Sequence, residues 1–193
     1  MRVRLSLLLK KRKRGISSTF VLLFNLIMEK IFIIGIDPGK SGGIVALTNG
    51  KITDVSKMPQ TPIDLVNHFY YLGFPNQPIG VKSYVIIENV HSMPSDSSKG
   101  AFTFGRNVGQ IEGVLASFGL EAIKVEPKKW QLFFGLKRAE GEAKYAYKGR
   151  LRDRALDECP ATSPFRKAVR RETADAFLIA RWFFKEGIKV LNG

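Results

Sequence analysis

Cysteine and histidine are scarce in this chain of 193 residues, which contains one cysteine and two histidines. Cys159 cannot form an intramolecular disulfide bond, and it has no second thiol with which to build a zinc site. A reducing compartment is therefore expected. Long apolar runs are also missing, since none approaches the roughly 20 residues that a transmembrane helix needs. The sequence thus indicates that the chain is not an integral membrane protein.

Acidic residues are few relative to basic ones, at 17 against 31, and the formal net charge is +14. Such an excess favours a polyanionic partner, either nucleic acid or an anionic membrane surface. The basic residues are unevenly distributed: residues 1–27 hold seven and no acidic residue, and residues 128–171 hold 13 against five acidic ones. The hydrophobic fraction of 45% excludes a mainly disordered chain, and the length suits one α/β domain.

Residues 1–27 do not share the periodicity of the rest of the chain. They contain two apolar pieces on either side of KKRKR, an order that a secretory signal does not have. An organelle transit peptide, an import signal and an upstream extension before a true start at Met28 are the alternatives. The extension is favoured because MEKIFIIGID opens the first strand at once. We expect residues 1–27 to be a basic extension, disordered, a mis-set start or a targeting segment, and residues 28–193 to form one domain.

From residue 31 onward, the pattern predicts a mixed sheet followed by helices. Apolar runs and hairpin signals predict strands over 31–37, 43–50, 51–58, 83–90 and 120–127. Capping and stop signals predict helices over 62–71, 101–118, 127–134, 141–158 and 167–185. Three meandering strands followed by alternating helices and strands indicate an α/β sheet with helices on both faces.

Four acidic residues stand where a charge is costly to place. Asp37 and Glu88 each end an apolar strand, where a carboxylate must be paired or bind a cation. Glu172 and Asp175 are three residues apart in the last predicted helix and would share one of its faces. Oxygen ligands without a Cys or His set suit Mg²⁺ or Mn²⁺. Two such ions would polarise a phosphate, activate a water and stabilise the leaving oxygen.

Three of the four acids also have a purely structural interpretation. Asp37 precedes a proline and would shape a turn, and Glu88 would form a buried ion pair with a lysine. Glu172 would interact with the helix dipole or pair with Arg170 or Arg171. Each interpretation is reasonable alone, but a common site explains all of these positions together.

The segments GIDPGKSGGIVAL, VIIENVHSMP and ETADAFLIARW, in this order and spacing, resemble the RuvC branch of the RNase H-like nucleases. The resemblance is to Holliday-junction resolvases, especially the short RuvC-like forms of phages, bacteria and organelles, and it covers about residues 31–185. It implies an RNase H-like α/β fold with a mixed five-stranded sheet flanked by helices. The implied activity is Mg²⁺-dependent cleavage of four-way DNA junctions by paired symmetric nicks, in recombination or replication.

The resemblance also implies which residues carry this activity. The catalytic residues, which are also the ligands of two Mg²⁺ ions (with Mn²⁺ as a substitute), are Asp37, Glu88, Glu172 and Asp175. Many members of the family have Asp or His at the position of Glu172. The implied partners are branched DNA and a second copy of the chain, without a membrane or a nucleotide cofactor. The implied location is the cytoplasm, or an organelle if residues 1–27 are a transit peptide.

The segment from Val125 to Arg154 matches the basic region that the family has before its last helix. Eight basic residues are predicted to neutralise DNA phosphates with little base readout, namely Lys128, Lys129, Lys137, Arg138, Lys144, Lys148, Arg150 and Arg152. Trp130 and Phe133 are expected to fill the core beneath this face. A solvated helix is the alternative interpretation of the charge.

The segment FTFGRNVGQIEGVLASFG resembles the helix through which two subunits meet. Gly105, Gly109 and Gly113 recur every four residues and would let another backbone approach, although tight packing on the protein's own sheet is an equal alternative. In the family, the preceding loop contacts the junction centre, sometimes with an aromatic wedge. The candidates here for that wedge are His91, Met93, Phe102 and Phe104.

Three rival functions start from the same motifs. A sugar-kinase or actin-like ATPase also opens with a strand, an aspartate and glycines, but it needs a second domain that the remaining length cannot hold. A YqgF-like RNA-processing nuclease shares the opening motif, but such proteins tend to lack the basic aromatic segment. A non-catalytic junction-binding protein would not need four clustered acids.

Overall fold

The computed structural model describes residues 30–78, 80–89 and 97–192. Its elements, in chain order, are β1 (Lys30–Asp37), β2 (Gly43–Thr48), β3 (Lys51–Lys57), α1 (Pro62–Tyr71), β4 (Val81–Glu88), α2 (Ser98–Ser117), β5 (Ala122–Val125), α3 (Pro127–Phe133), α4 (Lys144–Glu158), a 3₁₀ turn (Arg166–Ala168), α5 (Ala174–Trp182), a π turn (Phe183–Gly187) and α6 (Ile188–Asn192). The predictions for residues 1–27, His91 and Met93 lie outside the described residues. Within those residues, no helix is both long enough and apolar enough to span a membrane.

The five strands form one sheet in the order β3-β2-β1-β4-β5. The first three strands are antiparallel neighbours, whereas β4 runs parallel to β1 and β5 runs parallel to β4. Asn49 and Gly50 make the tight turn between β2 and β3, with φ values of 49° and 75°. Such a turn matches the twist of the two strands that it joins. The predicted mixed five-stranded sheet flanked by helices is therefore confirmed.

The two faces of the sheet carry separate apolar cores. On β1, Phe32, Ile34 and Ile36 point to the face that α1 and α2 cover, and Ile33 points to the other. Side chains alternate in this way because the strand has a period of two residues. Helices α3, α4 and α5 cover the second face, and α5 contributes fully buried residues to it from Ala176 to Ala180. Both faces of the central strand are thus removed from water.

Helix α5 crosses β1 at Gly35, and the two backbones approach closely there. A Cβ atom at Gly35 would lie 2.8 Å from the Cβ of Ala180 and would overlap the carbonyl oxygen of Ala176. Real Cβ atoms do not make contacts this short, so only glycine allows α5 to pack at this depth. The crossing fixes the distance of the whole helix from the sheet.

The single helix predicted over 167–185 is wrong. A 3₁₀ turn ends at Ala168, and α5 begins only at Ala174. The hydroxyl of Thr173 accepts a hydrogen bond from the amide of Arg170 at 2.9 Å and donates one to the carbonyl of Ala168 at 2.8 Å. These bonds hold a non-helical turn before α5, since a threonine side chain competes with the helix for backbone groups.

Other boundaries differ by two or three residues from the predictions. Helix α2 begins three residues early because the Ser97 hydroxyl accepts a hydrogen bond from the amide of Gly100 at 3.1 Å. Helix α4 begins at Lys144, three residues late. Gly187 does not end the last helical segment, since the chain continues through the π turn into α6.

Glu158, at the end of α4, joins that helix to α5. It accepts hydrogen bonds from Arg154, Arg181 and Lys185 at 2.9, 3.2 and 2.6 Å. Burial raises the pKa of Glu158, but the bonds from Lys185 and Arg181 outweigh it and hold the pKa below its usual value. Arg181 also donates to the carbonyl of Gly50 at 2.8 Å. The side of α5 that faces α4 is therefore tied to both α4 and the β2–β3 turn.

The crossing of α5 over β1 predicts that Gly35→Ala destabilises the protein. The added methyl group has no room, so overpacking should lower the free energy of unfolding by about 2–3 kcal/mol in urea denaturation. Gly149→Ala, inside α4, is the matched control, because the nearest atom to a Cβ there is the end of the Arg171 side chain, at an ordinary contact distance of 3.7 Å. It should raise the free energy of unfolding by up to about 1 kcal/mol through better helix propensity. Equal stability of the two variants would contradict this account.

Candidate active site

Two carboxylates lie side by side at one edge of the sheet. In the parallel pair of β1 and β4, Ile36 lies opposite Ile87, and Asp37 and Glu88 are the next residue of each strand. Both strands run in the same direction, so both side chains reach the same edge. The adjacency predicted for these two strand ends is confirmed.

A third carboxylate comes from the first turn of α5. Asp175 is only 5% exposed, and its Oδ2 accepts a short hydrogen bond from the ammonium group of Lys148 on α4. Its other oxygen, Oδ1, is buried without a hydrogen-bond partner among the described residues. The positive end of the α5 dipole favours a negative charge at this position. Such a buried oxygen is the kind of group that a cation or water satisfies.

The three carboxylates influence one another strongly. Burial, with the nearby charges of Asp37 and Asp175, raises the pKa of Glu88 to about 8. Burial likewise raises the pKa of Asp175, against the lowering influence of Lys148. Burial alone would lower the pKa of Lys148, but the three carboxylates raise it above its usual value. The site is therefore a partly buried group of acids, in which Asp175 is the most enclosed, with the ammonium group of Lys148 as a counter-charge.

Hydrogen bonds orient the two strand-end carboxylates. The indole Nε1 of Trp130, on α3, donates to Oε1 of Glu88 at 3.1 Å. The amide of Gly39 donates to Oδ1 of Asp37 at 3.1 Å, in the turn that the structural interpretation of Asp37 expects. Trp130 is fully buried, as predicted, whereas the prediction that Phe133 fills the core is wrong, since it is 40% exposed. Phe134, its neighbour in sequence, is the buried residue instead.

The contacts of Glu172 differ from those of these three acids. It stands on the turn before α5 and not on the helix, so the prediction that it shares a helix face with Asp175 is wrong. The ion partner that the structure gives Glu172 is Lys57 at the end of β3, at 3.8 Å. Glu172 lies in the turn that precedes Ala174, the first residue of α5, so it is not part of that helix.

The donor chemistry of the three acids fits a hard divalent cation. Asp37, Glu88 and Asp175 offer only carboxylate oxygens, one of them buried and without a partner among the described residues, and their mutual repulsion favours added positive charge. Within the described ranges, no three Asp, Glu, His or Cys side chains are close enough together to hold an ion as they stand. Lys148 supplies the positive charge of the cluster in this structure.

The eight basic residues predicted to bind DNA fall into different settings. Lys148 belongs to the acidic cluster. Arg150 makes two hydrogen bonds to the Glu142 carboxylate at 2.8 and 2.7 Å, and Arg138 donates to the Glu142 carbonyl at 2.6 Å. The bonds from Arg150 lower the pKa of Glu142 to about 2. Through their hydrogen bonds to Glu142, both arginines hold the 137–142 loop. Of the others, Arg152 is half-buried and four are exposed, namely Lys128, Lys129, Lys137 and Lys144.

The position of Lys148 in the acidic cluster is the functional feature that sequence reasoning missed. Tyr147, Leu151 and Ala155 are buried along one stripe of α4, and Lys148 is the residue next to Tyr147. The helical period thus places Lys148 at the border of the buried face. That spacing is the signal that distinguishes it from the exposed lysines around it.

The glycines of α2 do not pack against the sheet. A Cβ atom at Gly105, Gly109 or Gly113 would meet nothing within 4 Å, which contradicts the alternative of tight packing on the protein's own sheet. Phe102 lies on the same helix and is 71% exposed, whereas Phe104 is half-buried. This stripe of small residues is an open surface of the chain as described.

Comparison with solved structures identifies the fold. A structure of Thermus thermophilus RuvC in complex with a Holliday junction substrate aligns with a TM-score of 0.51 and 13% identity, over 84% of this chain and 96% of that chain. A further Thermus thermophilus RuvC structure aligns with a TM-score of 0.46 and 17% identity, over 81% and 96%. No protein-family model and no curated protein sequence matches the chain. The first likeness, with the sheet order, shows the RNase H-like fold of the RuvC type.

The raised pKa of Glu88 predicts that Glu88→Gln stabilises the protein in a pH-dependent way. Between pH 4.5 and 8 the unfolded chain releases the Glu88 proton and the folded chain keeps it, so the stability of the original protein falls as pH rises. The stability gain from Glu88→Gln should therefore grow by about 3–4 kcal/mol between pH 4.5 and 8. Urea denaturation at the two pH values, in a chelator, measures it.

Glutamine retains an oxygen that accepts the hydrogen bond from Trp130, so the substitution removes little besides the charge. Glu121→Gln, at an exposed position, controls for the removal of a carboxylate elsewhere. A gain from Glu88→Gln that is the same at both pH values would show that Glu88 ionises normally in the folded protein.

Proposed function

We propose that this chain is a metal-dependent, structure-specific DNA endonuclease that resolves four-way junctions by paired nicks. The observation that carries the proposal is the group of three acids, Asp37, Glu88 and Asp175, at one edge of an RNase H-like sheet. The likeness to a RuvC structure that holds a Holliday junction substrate supports the choice of DNA. The net charge of +14 also supports a polyanionic substrate.

Asp37, Glu88 and Asp175 would hold the divalent cations, with Glu172 as a further ligand in the proposal. When bound, Mg²⁺ or Mn²⁺ supplies polarisation of the phosphodiester and a water of lowered pKa. Carboxylates are the ligands that these ions prefer. Two ions per site are proposed, in keeping with the resemblance in sequence.

The residues of the chain prepare this site for an anionic substrate. The amide of Gly39 and the indole of Trp130 hold Asp37 and Glu88 in fixed orientations. The ammonium of Lys148 favours the ionised form of Asp175 in a buried position. These groups are fixed before substrate arrives, which lowers the reorganisation that cleavage needs.

The proposal predicts that Asp37→Asn, Glu88→Gln or Asp175→Asn lowers the cleavage rate by at least about 100-fold, because each removes a carboxylate from the metal-holding set. Junction binding should persist, since phosphate contacts supply the affinity. The measurement is cleavage of an end-labelled four-way junction in Mg²⁺, beside a duplex and a structured RNA. Glu172→Gln should cause a smaller decrease, and Glu172→Asp should retain activity.

Ca²⁺ in place of Mg²⁺ should permit binding with little cleavage, because its larger and looser shell positions the water poorly. Glu121→Gln is the control variant and should cleave at the original rate. Activity that survives substitution of Asp37, Glu88 or Asp175 would contradict the proposed site. Preferred cleavage of RNA would instead indicate an RNA-processing nuclease, and binding without cleavage would indicate a junction-binding protein.

A homodimer is part of the proposal. The described residues of each copy form one acidic cluster of this kind, and paired nicks in a two-fold symmetric junction need two clusters held together. The open stripe formed by Gly105, Gly109 and Gly113 supports α2 as the contact, because another backbone can approach it without displacing a side chain.

The proposed dimer predicts that Gly109→Leu lowers paired cutting more than single nicking. The leucine side chain would hold a second α2 helix away and weaken the dimer, whereas the acidic cluster would remain intact. Sedimentation velocity measures the state of assembly, and a cruciform plasmid distinguishes linear product from nicked circle. The control is Asn67→Leu, which adds the same side chain at an exposed position on α1. Equal decreases in both products would place the contact elsewhere.

A further inference from the structure

A second charged surface lies beside the acidic cluster. A cleft of about 820 Å³ is bounded by α4 and by the 161–172 segment before α5. We name it the basic cleft and define it by the charged residues that line it, which are Arg152, Arg166, Lys167, Arg170, Arg171 and Glu172. Five of these six are cations, and the one acid already has Lys57 as a partner at 3.8 Å. Only Arg152 was among the residues predicted to bind DNA.

Two of the cations keep their charged ends available. Arg170 uses its Nε to donate to the carbonyl of Lys167 at 3.3 Å, which leaves both terminal amino groups without a partner among the described residues. Lys167 is exposed, and its side chain makes no hydrogen bond or ion pair within the described residues. Within the described residues, the ion partner of Arg152 is its neighbour Asp153, at 3.6 Å in a solvent-accessible pair that contributes little. Free guanidinium and ammonium groups of this kind suit phosphate oxygens.

The walls of the basic cleft are held rigidly. Arg166 donates to the carbonyls of Leu156 and Cys159, each at 2.6 Å, and so ties the end of α4 to the segment that follows it. The guanidinium of Arg171 stacks on the ring of Tyr145 at 3.8 Å from its centroid. Because these two arginines are fixed by other contacts, they position the cleft, and Lys167 and Arg170 are the groups left to contact a ligand.

The basic cleft and the acidic cluster are formed by neighbouring segments of the chain. Arg170 and Asp175 are separated by the Thr173 turn, and Glu172 lies three residues before Asp175. The two surfaces also meet on α4, where Arg152 of the cleft follows Lys148 of the acidic cluster by one helical turn of about 5.4 Å. A strand whose phosphodiester lies at the acids can therefore have its neighbouring phosphates in the cleft.

We propose that the basic cleft binds the phosphate backbone of a DNA duplex arm a few nucleotides from the bond to be cut, through Lys167 and Arg170. The inference rests on the proposed function for its substrate, but it concerns affinity and not cleavage. It assigns sequence-independent contacts to these residues, because backbone phosphates carry no base information. It also predicts that the cleft contributes to duplex binding, and not only to binding of the junction centre.

The test measures binding to a fluorescent four-way junction and to a duplex of one arm's length, in a chelator at several salt concentrations. Lys167→Gln with Arg170→Gln should weaken binding about 10-fold or more and lower the slope of log K against log salt by about two, because two phosphates are no longer neutralised. Lys167→Gln alone should lower the slope by about one. The Lys167 side chain makes no bond in the described residues, so folding is not at risk.

The matched control is Lys30→Gln with Lys51→Gln, which removes the same charge from exposed positions at the opposite end of the sheet. This variant should bind DNA with nearly the original slope. Equal slopes for the cleft variants and the original chain, or equal effects of the cleft and control pairs, would overturn the inference. Tighter binding of a structured RNA than of DNA would overturn it as well.

The readout separates this inference from the proposed function. If the original chain cleaves junctions and the slope does not change in the cleft variants, the inference fails and the proposed function remains. If the original chain binds DNA without cleaving it and the cleft variants lower the slope, the proposed function fails and the inference remains.

Discussion

The contact between α5 and β1 at Gly35 sets the geometry on which the acidic cluster depends. Asp37 and Glu88 need only the pairing of two strands, but Asp175 reaches them from a helix on one face of the sheet. A helix held off by a side chain at Gly35 would lift Asp175 away from the strand ends. The ties from Arg181 and Lys185 to Glu158 hold the same helix from its other side. The packing at Gly35 and the ion pairs with Glu158 thus both fix the position of α5.

The cluster stores unfavourable energy that a bound cation could release. Burial and the charges of Asp37 and Asp175 raise the pKa of Glu88, and Lys148 offsets only part of this effect, since that pKa remains at about 8. Groups with strongly shifted pKa values are typical of functional sites, because a fold gains no stability from such an arrangement. The raised pKa of Glu88 distinguishes this edge of the sheet from the Glu158 network, where cations hold the carboxylate pKa below its usual value.

The sequence was sufficient to predict the sheet and two of the acids, because an acid that ends an apolar strand is a local signal. Asp175 is also predicted, but from a helix face shared with Glu172, whereas α5 begins after Glu172. The placement of Glu172 could not be predicted, since the turn depends on hydrogen bonds of the Thr173 hydroxyl. Lys148 was grouped with exposed lysines, because a charge count ignores which face of a helix each residue occupies. Phe133 and Phe134 are adjacent in sequence, and only the tertiary packing decides which one is buried.

The acids of the cluster come from three segments that are far apart in sequence, and this spacing bears on how the protein is made. Synthesis proceeds from the N-terminus, and domains fold as their segments emerge. When β1 to β5 have emerged, Asp37 and Glu88 are present, but Lys148 and Asp175 are not. The cluster cannot exist until α4 and α5 have joined the sheet. A nascent chain therefore carries no complete acidic site near the messenger RNA and the ribosome that are producing it.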